Sequence, residues 1–329
     1  MAVDTMVATH AQAPAWKRIG TMREAGLIAI ILALGIIMSF ASPHFLTFGN
    51  MRAMLMSFSV EGIVVVGMTI LLIVGGIDLA VGSVVCFAMV LAGSLFLAGV
   101  DPWTASLVGI LASSMIGMIM GFFVTVVGLN HFITSLAAMV IVRGLCLVIT
   151  KGTPLSLFTL PASFKAVGQG TFHGVPYVIL IFVAVVILFD FLLRRATAFR
   201  KVFYTGSNEK AALYSGIKTK QVKFWVTVLC STLAGVAGVI YMSRFGAATP
   251  TFGVGMELNI IAAAVIGGAS LNGGSGTILG AILGIALLSV VTSSLILLDV
   301  SVYWQDMIKG CILLAAVSID HLLHKRKAA

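Results

Sequence analysis

The chain has 329 residues, of which 60% are hydrophobic and only 9% charged, with mean hydropathy +1.14 and formal net charge +9. A soluble domain carries about 25% charged residues, so a water-covered globule is excluded and the outer surface must face lipid. The apolar runs do not alternate with polar residues as barrel strands do, and 35 glycines suit close-packed helices. The expected fold is an all-α polytopic membrane protein.

A helix crossing about 30 Å of hydrocarbon needs about 20 apolar residues. Such runs occur near 24–42, 52–74, 79–99, 104–128, 132–150, 174–193, 222–243, 257–269, 275–298 and 302–322, ten in all. The second is long enough to hold a kink, and the eighth is short enough to be half-buried or broken. They divide the chain into an N-terminal tail (1–23), a membrane-spanning body (24–322) and a basic tail (323–329). The first span has a basic flank and Ala41-Ser42-Pro43 after it, features of a signal peptide, but an uncleaved helix is the plainer reading. With the N-terminus inside, fourteen basic residues fall inside: Lys17, Arg18 and Arg23, eight between Arg194 and Lys223, and Lys325 to Lys327. Arg52, Lys151, Lys165 and Arg244 fall outside, while Arg143 and Lys309 lie within spans. This bias is the positive-inside signal. It accounts for the excess charge as orientation, which argues against a nucleic-acid partner and places both termini in the cytoplasm.

Between the second and third spans lies VGGIDLAVGSVV (74–85), with Gly75, Gly76 and Gly82 around one acid, Asp78. The glycines weaken helix, and Asp78 and Ser83 are suited to capping the next span. Residues 151–173 form a long outside loop. Residues 194–222 form the only sizeable inside loop. Its core, Asn208 to Ser215, reads as a short helix of about 12 Å. Ser207 or Asn208 would cap its start, Glu209 suits the positive dipole end, and Gly216 would close it. A short capped helix on such a loop has the shape of a docking element.

Two echoes link the halves. Gly76-Ile77-Asp78-Leu79 is matched by Gly255-Met256-Glu257-Leu258, and Arg143-Gly144 by Lys309-Gly310. Spans 2–5 then match spans 7–10. The offset of five spans makes this an inverted repeat, as in many transporters. Asp78, Glu257 and the neighbouring Asn259 are candidate pathway residues. So is Glu61, about ten residues into the second span with no turn nearby, because an intramembrane acid faces a cavity or a partner. Arg143 is its expected partner; Asp306 stands three residues before Lys309 and would satisfy that cation.

No catalytic or metal motif is found. GGASLNGGSGT (267–277) lacks the lysine of a phosphate loop and joins two apolar spans, so close backbone packing is the expected role. The four cysteines, Cys86, Cys146, Cys230 and Cys311, lie in apolar runs without metal-ligand spacing. His321 and His324 lie in the basic tail. The chain is not expected to be an enzyme.

GMTILLIVGGIDLAVGS, GSNEKAALYSGIKTKQVK and MELNIIAAAVIGGASLNGGSGTILGA, in that order, resemble the ribose-type sugar permeases of bacterial ABC importers, over essentially the whole chain after about residue 24. The resemblance implies a subunit of the cell inner membrane that passes a monosaccharide or related small polyol delivered by a periplasmic binding protein. It implies pairing with a second permease, a copy or a paralogue, and with a cytoplasmic ATPase that binds ATP and Mg; this chain would hold no cofactor. It marks Gly206, Ser207, Asn208, Glu209, Ala211, Ala212, Ser215, Gly216 and Ile217 as the ATPase-coupling segment. Glu61, and Asn130-His131 before Phe132, depart from the family pattern. The alternative is an ion-coupled secondary transporter, which would share the inverted repeat but would not need a docking helix.

Overall fold

A computed structural model describes residues 23–305, 307–312, 314 and 318. Asp306, most of the N-terminal tail, and His321, His324 and the basic tail lie outside the described residues. Twelve α-helices are labelled here: α1 (Arg23–Ala41), α2 (Phe48–Ile73), α3 (Val81–Leu97), α4 (Pro102–Phe122), α5 (His131–Thr150), α6 (Ala162–Gln169), α7 (Tyr177–Arg195), α8 (Thr197–Ser207), α9 (Glu209–Tyr214), α10 (Thr219–Phe245), α11 (Met256–Ile266) and α12 (Ile278–Leu297). Helix resumes at 302–305 and 307–312. The first nine expected spans therefore have helical counterparts, and the described residues at the start of the tenth are helical. Among the described residues seven helices are long and apolar enough to cross a membrane, and two apolar helices, α3 and α11, are shorter. This is an all-α polytopic membrane protein. Among the described residues strand is confined to four two-residue pieces, of which Leu155–Ser156 pairs with Ala247–Ala248.

Local sequence sets the helix ends. The Thr47 hydroxyl caps α2, the Asp101 carboxylate caps α4 ahead of Pro102, and the Thr277 hydroxyl caps α12, as expected for short polar side chains and an N1 proline. The second span runs unbroken as α2. The departure from regular α-helix falls instead at the end of α4, which widens into π-helix over Phe123–Val127 and stops at Gly128.

The two halves pack on each other reciprocally. α10 lies against α3 and α4, and α2 lies against α11 and α12. The long first helix of each half thus rests on the second and third helices of the other. One end of the bundle carries α9, where Ile73 at the end of α2 meets Gly206. The other carries α6, where Gly168 packs on the backbone of Ser243 and Arg244 at the end of α10.

α3 and α11 each start inside the bundle after a non-helical segment. The two starts meet: a Cβ on Gly82 would run into the Gly253 carbonyl and lie 2.7 Å from Glu257 Oε2. Only glycine permits that approach. Gly82→Ala should therefore lower the thermal unfolding temperature of the purified protein, by about 1–3 kcal/mol of overpacking. Gly144→Ala, where an added Cβ meets nothing within 4 Å, should be neutral or slightly stabilising; equal behaviour of the two would contradict this packing.

Candidate translocation cavity and docking loop

The non-helical segments need partners, because a backbone polar group buried away from water is costly. Residues 74–80 precede α3. There the Ile77 carbonyl accepts from Ser135 Oγ and His131 Nδ1, both at 3.2 Å, and His131 Nε2 lies 2.9 Å from the Thr227 hydroxyl. Residues 246–255 precede α11. There Arg143 Nη1 donates to the Pro250 carbonyl at 3.1 Å and the Phe252 carbonyl at 2.6 Å, and the Cys86 thiol donates to Thr249 and Pro250. His131, Ser135 and Arg143 all stand on α5.

This corrects the expected pairing of Glu61 with Arg143. Arg143 is occupied by backbone carbonyls of the segment before α11. Glu61 instead lines a cavity of about 300 Å³ with Arg244 of α10 and Lys309. Asn50, Ser57, Asn259, Ser289 and Thr292 supply amides and hydroxyls to the same cavity. It lies toward the α6 end, between the first half of α2 and the second half of α12. Arg244 places its guanidinium 5.4 Å from the Phe245 ring, and its Nη1 is buried without an acceptor among the described residues. A cavity with one carboxylate, two cations and several neutral polar groups can both donate to and accept from a hydroxylated solute.

Of the residues singled out in the sequence as pathway candidates, Glu61 and Asn259 come together here. Asp78, Arg143 and Glu257 are not among the lining residues. Asp78 is fully buried, and its Oδ1 accepts from the Ala80 amide at 2.7 Å. It thus forms the turn before α3 and not the cap itself: Ala80 is the N-cap residue, without a side-chain bond, and Ser83 Oγ has no partner among the described residues. Sequence reading missed Arg244, placed on an outside loop because it follows an apolar run; it is in fact the penultimate residue of α10.

The inside loop folds as two helices. α8 was not expected; its signal is the spacing of Phe199, Val202 and Phe203 opposite Arg200 and Lys201, an amphipathic pattern. α9 is the expected short helix, six residues long. Asn208 Oδ1 caps it from Ala211 N at 3.0 Å, and Gly216 (φ +82°) closes it, with Ile217 N donating to Ala212 O at 3.0 Å. The Ala211 carbonyl accepts from Ser215, and Ala212 is buried. Glu209 also pairs with Lys223 of α10 at 2.6 Å. Leu213 and Tyr214 point outward, 58% and 89% exposed. Behind α9, Gly206 packs on the Ile73 carbonyl, and Gly274 donates its amide to that same oxygen at 2.8 Å while lying against Ser207. The three motifs read from the sequence therefore meet at one junction.

Because Glu61 and Arg143 hold different groups, their replacement effects should add. A double-mutant cycle of Glu61→Gln and Arg143→Gln, read by thermal unfolding, should show coupling within about 0.5 kcal/mol. Coupling well above 1 kcal/mol would mean that the two side chains share a partner.

A family model described as the permease component of branched-chain amino acid transport systems matches residues 50–317. The ribose import permease of Bacillus subtilis is 36% identical over 92% of this chain and 94% of its own length. An L-arabinose ABC transporter permease of Azospirillum brasilense is 34% identical over 96% of this chain and 94% of its own length. The D-allose transport permease of Escherichia coli K12 is 33% identical over 94% and 93% respectively. No solved structure matches the chain. Matched along most of its length by the family model and by each of these permeases, the protein belongs to the monosaccharide ABC importer permease family.

Proposed function

We propose that the protein is the transmembrane permease subunit of a bacterial ABC importer, passing a monosaccharide or related small polyol across the inner membrane. The observation that carries this reading is α9. A capped, closed helix presents Leu213 and Tyr214 to the outside, and exposed large apolar side chains on a polar loop mark a protein contact. The end of α8, which leads into α9, rests on α2 and on the loop before α12 through Gly206 and Gly274. The partner at α9 is a cytoplasmic ATPase, which binds the ATP and Mg. The α9 end then faces the cytoplasm, in keeping with the positive-inside bias, and both termini lie on that side. The cavity end faces the periplasm and receives solute from a binding protein. A second permease, identical or paralogous, completes the assembly.

The cavity supports a polyol as cargo. A hydroxyl both donates and accepts, so it suits the Glu61 carboxylate and the unpartnered Arg244 nitrogen alike. The named cargoes of the relatives, ribose, L-arabinose and D-allose, are all of this chemistry.

Uptake by proteoliposomes holding the permease, its neighbouring ATPase and a sugar-binding protein tests the reading. Uptake should require ATP and should be indifferent to an ion gradient. Glu61→Gln should keep much of the wild-type rate, since the amide retains an acceptor in the same space. Glu61→Leu should insert normally but transport poorly, by about tenfold or more given the loss of a hydrogen bond to a charged group. Ion-driven, ATP-independent uptake would favour a secondary transporter, and full uptake by Glu61→Leu would remove Glu61 from the pathway.

A further inference from the structure

A second groove, of about 560 Å³, runs between α8 and the first turns of α10, away from the cavity. Its lining changes along α10. Lys218 and Gln221 stand at the start, joined by Lys201 from α8; Val222 and Trp225 follow; Val226 and Leu229 lie furthest along. Leu229 is ten residues beyond Thr219, about 15 Å up the helix. That is about half of a 30 Å hydrocarbon layer. Trp225, 61% exposed, stands six residues beyond Thr219, and tryptophan is enriched where headgroups meet chains. Cation, then aromatic ring, then aliphatic side chain is the sequence of surfaces that a lipid presents in complement: phosphate, glycerol, acyl chain.

The lining residues include no acid, and neither lysine is in an ion pair among the described residues. The groove at the junction of α1, α7 and α12 differs: it is lined by Glu24 and Asp190, and its Arg194 is already paired with Asp190 at 2.8 Å. Charge complementarity therefore selects the α8–α10 groove for an anion with a long apolar tail.

We propose that this groove binds one anionic phospholipid, its phosphate between Lys201 and Lys218 and an acyl chain along Val222, Trp225 and Leu229. Gly216, which closes α9, also lines the groove, so the headgroup would buttress the docking helix from the membrane side.

Native mass spectrometry of the full-length permease, released from micelles containing equal phosphatidylglycerol and phosphatidylcholine, tests this. The wild type should retain phosphatidylglycerol in preference by about tenfold or more, from roughly two lysine–phosphate contacts. Lys201→Gln with Lys218→Gln should abolish the preference. Lys210→Gln with Lys220→Gln removes the same charge from the same loop outside the groove and should leave the preference intact. Absence of headgroup preference in the wild type, retention unchanged in the groove variant, or equal loss in both variants would overturn the proposal. A second protein copy filling the groove would show as wild-type protein without bound lipid, and would overturn it too.

Discussion

The structure depends on how two breaks in its helices are satisfied. Within hydrocarbon no water is present to pair with a bare carbonyl, so non-helical backbone survives only where protein supplies the missing bonds. Residues 74–80 and 246–255 are such segments, and α5 serves both. His131 and Ser135 reach Ile77 near one end, and Arg143 reaches Pro250 and Phe252. His131 and Arg143 are twelve residues apart on one helix, about 18 Å. α5 is thus a strut spanning both breaks, and it lets the two short helices begin in the interior of the bundle.

From that constraint the functional geometry follows. α3 and α11 start side by side because Gly82 and Gly253 let their backbones touch. Their positive N-terminal ends converge there, close to the Glu257 carboxylate. Because α11 begins in the interior, its first turns deliver Asn259 to the cavity, opposite Glu61 on α2. α2 and α12 line the cavity with their far halves. At the other end, Ile73 of α2 and the loop before α12 hold the docking segment through Gly206 and Gly274. The same two helices therefore touch both the Glu61 cavity and the Gly206–Gly274 junction at the end of α8.

Much of this was legible in the sequence. Hydropathy alone located the spans, because lipid imposes length and composition directly. The shortness of α11 was readable from the run 257–269, and α9 from Asn208 and Gly216, since caps are local chemistry. The Gly-apolar-acid-Leu echoes both stand where a short helix begins: Gly76–Leu79 lies in the turn before α3, and Gly255–Leu258 forms the cap and first residues of α11. What failed was partnership through space. Glu61 was matched to Arg143 by elimination among intramembrane cations, yet Arg143 serves a loop 107 and 109 residues away, and Arg244 had been set aside as a loop residue. His131 stood out as a departure from the family pattern, but nothing local reveals that its ring bridges Ile77 and Thr227. α8 was hidden because its basic residues read as an orientation signal and masked its apolar face.

The central claim is that docking motion reaches the cavity helices through the Gly206–Ile73–Gly274 junction. Gly206→Ala tests it most directly, since the added Cβ would meet the Ile73 carbonyl and come within 2.7 Å of the Gly274 amide nitrogen. ATP hydrolysis and solute uptake should be measured together on the reconstituted importer carrying this change. The account predicts assembly and hydrolysis near wild type, with uptake per ATP reduced by about tenfold, the scale of about 1.4 kcal/mol of overpacking at a coupled contact. Wild-type uptake per ATP from a properly assembled Gly206→Ala importer would contradict it.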